Sequence, residues 1–170
     1  MAWSPPKTWG VGNVLTAAEL NTYVRDNQNA IGKFQTYTPS WGVSGGTAPT
    51  IGNGFITGRY LYLEEWVWVQ ILIAAGSTTT AGSGQYQLTL PVGAAMLQQS
   101  YDETLFGTLN DLGNARYMTC GSILGAGSSL VVNGIGPWPS GGTSQNWTNS
   151  TPFAFGNGDT MNLSGFYRRY

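Results

Sequence analysis

Nine consecutive residues, Trp66 to Ala74 (WVWVQILIA), constrain the fold more than any other stretch. Side chains alternate along a strand, so Val67, Val69, Ile71 and Ile73 form one face. Trp66, Trp68, Gln70 and Leu72 form the other. Both faces are largely apolar, which predicts a strand covered on both sides. Residues 54 to 63 alternate as well, with Tyr60 and Tyr62 opposite Leu61 and Leu63, and Glu64-Glu65 reads as a hairpin turn. Tyr86, Leu88 and Leu90 alternate with Gln87 and Thr89 up to Pro91. Further strands are expected at 103 to 109, 115 to 124, 128 to 135 and 160 to 169, with a short strand or connector at 36 to 42. Loops are expected at 76 to 82 and 136 to 151, and a turn at Gly156 to Asp159. About eight short strands separated by turn signals predict a mainly β fold, an antiparallel, jelly-roll-like β-sandwich.

One N-terminal α-helix precedes these strands. Thr16 followed by Glu19 is a capping box, in which each residue satisfies the other's backbone amide. The expected helix runs from 17 to 34. Its apolar face, Leu20, Val24, Asn27, Ile31 and Phe34, steps by four, three, four and three, a coiled-coil seam with a polar residue at its middle. A single helix of roughly five turns is marginal in water. On a core-facing stripe Asn27 would be a buried amide with no evident partner. On a symmetric axis, copies of Asn27 can satisfy one another and fix register. The five seam residues are therefore assigned to self-association. On this reading Asn27→Leu keeps or raises stability while loosening oligomer specificity. The chain divides into a segment over 1 to 36, for attachment and oligomerisation, and a β head over 37 to 170. Trp3 and Trp9 lie in an irregular stretch rich in Pro and Gly, where they need something to dock on. Either their own helix or a partner would serve.

Composition narrows the functions. Charged residues are 9% of the 170, against about 25% in a typical domain, and the net charge is -1. Such a surface gives nucleic acid no electrostatic footprint and anionic membranes no basic patch. The longest apolar run, Val67 to Ala75, is interrupted by Gln70 and is too short to span a bilayer, and the N-terminal residues lack the apolar stretch of a signal peptide. Aromatics at 13%, including 7 Trp, supply a core despite 25 Gly and 8 Pro. With no His, the usual general base and the commonest metal ligand are missing. The one Cys, Cys120, is expected as a buried small hydrophobe.

No catalytic constellation is evident, and no cofactor or metal is expected. Asp102-Glu103 and Glu64-Glu65 are adjacent pairs whose side chains diverge, a poor geometry for the paired carboxylates of glycoside hydrolysis. The sequons at Asn146, Asn149 and Asn162 read as chance in an Asn- and Thr-rich chain. Trp138 and Trp147 flank a polar loop. Either they contact a glycan, with aromatic faces on sugar rings, or they plug the end of the sandwich.

Two groups of motifs carry a family resemblance. Thr8-Trp9, Val14-Leu-Thr-Ala-Ala-Glu-Leu-Asn and Arg25-Asp-Asn resemble the N-terminal signature of minor tail proteins of tailed bacteriophages. Tyr37-Thr-Pro-Ser-Trp41, Ile51-Gly-Asn-Gly54, Gly58-Arg-Tyr60, Gly76-Ser-Thr-Thr-Thr80, Leu88-Thr-Leu-Pro91, Gly158-Asp-Thr160 and Gly165-Phe-Tyr167 resemble a theme repeated in the same proteins. The resemblance implies a non-enzymatic virion surface protein, usually a homotrimer, with a helical anchor and a β-sandwich head. Its partners would be other virion proteins of the tail or capsid, with Trp3 and Trp9 in attachment, and a host-surface glycan. A capsid decoration or head-fibre protein suits the same anatomy. A polysaccharide-degrading enzyme is the third reading, and the sparse carboxylates weigh against it.

Overall fold

A computed structural model describes residues 4–30, 33–63, 66–91, 103–124, 131–137 and 146–168. Nine strands among them form one antiparallel sheet: β1 (Gln35–Tyr37), β2 (Trp41–Ser44), β3 (Phe55–Leu63), β4 (Trp66–Ala74), β5 (Gln85–Thr89), β6 (Glu103–Asp111), β7 (Ala115–Leu124), β8 (Val131–Pro137) and β9 (Thr160–Arg168). Their order is β1-β3-β4-β9-β6-β7-β8-β5-β2. The pairs β4 with β9, β5 with β8 and β6 with β7 are nested, as in a long hairpin rolled into a jelly roll.

Chain geometry makes the sheet curl. Strands β1 and β2 stand at opposite edges of the order, yet only residues 38 to 40 separate them. Laid flat, nine strands would put these edges about 38 Å apart. The connector reaches about 14 Å at most. The sheet therefore wraps round on itself, and Thr89 of β5 fastens the join. Its amide donates to the Ser40 carbonyl at 3.1 Å, while its hydroxyl accepts from the Ser40 amide at 2.7 Å and its carbonyl from the Tyr37 hydroxyl at 3.3 Å. Rolled in this way, the sheet is the mainly β, sandwich-like fold that the alternation predicts.

The inner face is the core. Val67, Val69, Ile71 and Ile73 of β4 face Leu105 and Leu109 of β6 and Met161, Leu163 and Tyr167 of β9, all fully buried. Gly107 interrupts this row because β6 runs very close to β9 there; a Cβ at Gly107 would stand 1.7 Å from the Asn162 carbonyl oxygen. Asp159 is no solvated turn residue. Its buried carboxylate accepts from the Leu112 amide at 2.9 Å and the Gly156 amide at 2.7 Å, tying the end of β6 to the turn before β9.

The second face of β4 corrects an expectation. Trp66 is 45% exposed, and Trp68, Gln70 and Leu72 are half-buried. A single sheet rolled round one core has only one interior, and among the described residues no second layer closes its outer face. The short strand or connector expected over 36 to 42 is a three-residue connector between two strands, because Pro39 has no amide to give a ladder and restricts Thr38 before it.

Candidate functional site

The N-terminal segment is built from its capping box. The Glu19 amide donates to Thr16 Oγ1 at 3.2 Å, and the Thr16 amide donates back to Glu19 Oε2 at 3.0 Å. Helix α1 (Ala17–Leu20) passes into a π-helical turn over Asn21–Asp26 and then into α2 (Asn27–Ala30). Lys7 pairs with Glu19 and lies 4.8 Å above the ring of Trp9. Above all this Lys7 bond, and then the Thr16 amide and hydroxyl, hold the Glu19 carboxyl down from 4.5 to about 2. A carboxyl whose folded pKa is depressed stabilises the fold above its unfolded pKa and loses that contribution as pH falls through the folded one. The helical signal in circular dichroism is therefore expected to fall between pH 4.5 and about 2. The fall should shrink in high salt because the group is exposed. A flat titration would contradict it.

Asn27 requires the largest correction. It is 5% exposed, and its own chain satisfies it. Its Oδ1 accepts from the Ser4 amide at 3.0 Å. Its Nδ2 donates to the carbonyls of Ser4 at 2.9 Å and Tyr23 at 3.1 Å. Asn27 thus clips the irregular N-terminal segment to the helix and leaves no amide to meet a symmetry mate. Asn27→Leu is accordingly expected to release residues 4 to 9 at a local cost of about 1–3 kcal/mol. Hydrogen exchange at the Ser4 amide should accelerate while the β head melts unchanged. Unaltered protection at Ser4 would refute the clip.

The other assigned residues divide. Leu20 and Val24 are each 43% exposed, and neither α1 nor the π turn contains a buried residue. No sustained helix–strand packing is present among the described residues. Phe34 is not helical; the described helix covers residues up to Ala30. It lies on the outer sheet face, 5.3 Å from the ring of Trp68, with the Arg59 guanidinium 5.3 Å from its own ring. Trp9 packs edge-on against Tyr23 of its own helix at 6.4 Å and stays 37% exposed. Trp3, Ile31, Trp138, Glu64-Glu65, Asp102 and the Cys120 side chain lie outside the described residues.

Trp147 cannot stack on a glycan, because it is 0% exposed. It stacks on Trp41 at 6.1 Å and meets Tyr86 at 4.5 Å and Phe155 at 5.1 Å. Its carbonyl accepts from the Tyr86 amide at 3.0 Å. Trp147 plugs the aromatic end of the core, and burial there pushes the Tyr86 hydroxyl up to about 12.

The outer face holds a group that the sequence reading passed over. In register across β1, β3, β4 and β9 lie Thr36, Arg59, Gln70 and Ser164, with Thr57, Leu72 and Asn162 in the next row. Six of these residues line an open groove of about 390 Å³. Gln70, the polar break in an apolar run, was the one signal of it. Among the described residues no cluster of His, Cys, Asp or Glu is arranged to hold a metal, and no helix is long and apolar enough to cross a membrane. No protein-family model, curated protein or solved structure matches the chain.

Proposed function

We infer that the protein is a non-enzymatic structural component of a tailed-phage virion, a homotrimeric tail appendage. The N-terminal segment ahead of β1 assembles and attaches it, and the β head projects outward. One observation carries the reading: Leu20 and Val24 stand exposed on a capped helix that makes no sustained packing with a strand among the described residues. A helix this short does not persist on propensity alone. Copies of itself, burying that apolar pair, supply the missing partner. The motif order of the N-terminal segment and of the head supports placing it in a tail. The surface, sparse in charge, suits contacts within an assembly.

Two measurements test the reading. Sedimentation of the purified chain should give a species of three times 18.2 kDa. Antibodies to the head should label virion tails in electron micrographs. Capsid labelling would replace the tail appendage with a decoration protein, and a monomer at micromolar concentration would remove the assembly.

A further inference from the structure

We propose that the groove on the outer sheet face is a saccharide site, taking one sugar ring that carries an acidic substituent. Its volume of about 390 Å³ falls at the small end of ligand pockets, which run from about 300 to 1,000 Å³. That suits a single ring.

The lining matches the ligand group by group. Thr36 and Thr57 bring hydroxyls, Gln70 and Asn162 bring amides, and Leu72 brings an apolar side chain between them. A sugar ring presents the complementary surface, hydroxyls at its edge and C–H groups on its faces. Asn162 Oδ1 makes the demand specific. It is buried, and no described residue donates to it. Buried acceptors take a donor wherever one is in reach, and a ring hydroxyl entering the groove is such a donor.

Arg59 sets the charge. Its Nε–H donates to Gln70 Oε1 at 2.7 Å, and its guanidinium stands over Phe34. These contacts hold the planar group in place while using one of its five donors. Among the described residues no carboxylate pairs with Arg59, so none of them gives the groove's cation a counter-charge. A carboxylate on the ligand would supply it through charge-assisted hydrogen bonds. Beside the groove, Phe106 of β6 lies opposite Ser164, and Phe166 lies two residues further along β9; both are exposed. They give a neighbouring ring an aromatic shelf. Among the described residues no carboxylate lines the groove, and glycoside cleavage needs two, so these residues suit holding a sugar rather than cutting it.

The inference rests on the outward-facing head for its biological role, but its test is made on the purified full chain and does not need the virion. Methyl glucuronide, titrated while backbone amide resonances are followed, should shift residues 57 to 59, 70 to 72 and 162 in a saturable way. Methyl glucoside should shift the same residues about tenfold more weakly. Arg59→Gln should erase that preference, bringing the glucuronide response down to that of the glucoside. Asn162→Leu, or Thr57→Val as a second variant outside the core, should weaken both sugars. Shifts that are absent, that map to another face or that survive Asn162→Leu and Thr57→Val unchanged would overturn the site. Equal response to both sugars would overturn the acidic preference. None of these outcomes alters the sedimentation or labelling result, so the two readings fail separately.

Discussion

Trp147→Ala is expected to lower the stability of the β head by about 3–5 kcal/mol, the usual cost of emptying a buried aromatic site. At fixed protein concentration this lowers the melting temperature by about 10 °C for a chain of this size. The loss should be hard to absorb, because three other aromatics depend on the same ring. Trp41 lies parallel to it, while Tyr86 and Phe155 meet it edge-on. Tyr86 is further held by its hydroxyl, which donates to the Ala81 carbonyl. Removing the indole leaves a cavity among rigid rings with few rotamers to fill it. Trp147→Phe should cost much less than the Ala variant. The indole Nε1 is buried and donates to no described residue, so Phe loses volume but no hydrogen bond within the described chain. Differential scanning fluorimetry of both variants decides the matter. A Trp147→Ala protein melting with the wild type would mean that this ring does not close the core.

The same tryptophan marks where sequence reading stopped. Strands β3, β4, β5, β7 and β9 were legible within a residue or two, because period-two alternation is local and survives without tertiary context. The inward set of β4 was legible for the same reason. Trp147 was not. A tryptophan between Asn and Thr in a Gly-rich loop looks the same whether it faces a ligand or folds back onto Tyr86. Only pairing across 61 residues, such as that of Asn146 with Gln85, separates the two. Asn27 failed similarly: its partner Ser4 lies 23 positions upstream, beyond the reach of any periodicity. Phe34 was an extrapolation of the seam past Gly32, a residue type that ends helices more often than it continues them. The groove was nearly invisible because its residues are spread over four strands. Register, not local pattern, brings them together.

Charging the exposed helix pair should have the largest effect on mass. If the chain assembles as proposed, Leu20→Lys combined with Val24→Lys converts the proposed trimer into a monomer of about 18.2 kDa. In a closed trimer, fully burying a Leu or Val side chain contributes about 1.5–3 kcal/mol. Six such side chains would meet at the axis, and the double variant replaces them with six like charges. The positions fit a common interface, since they lie four apart and are equally exposed. The π-helical turn between Asn21 and Asp26 reshapes that face, so it is not the regular heptad seam that the spacing suggested. Asn27 and Phe34 are each engaged within the chain. This leaves Leu20 and Val24 as the described members of the seam that remain available. Lys is a good helix former, and neither position contributes to the capping box, so the variant should keep its helical signal at low concentration. A monomer with an intact helix would place the assembly energy in this pair. An unchanged trimer would move the interface elsewhere, with the exposed residues of the outer sheet, Phe106 and Phe166 among them, the next to be charged.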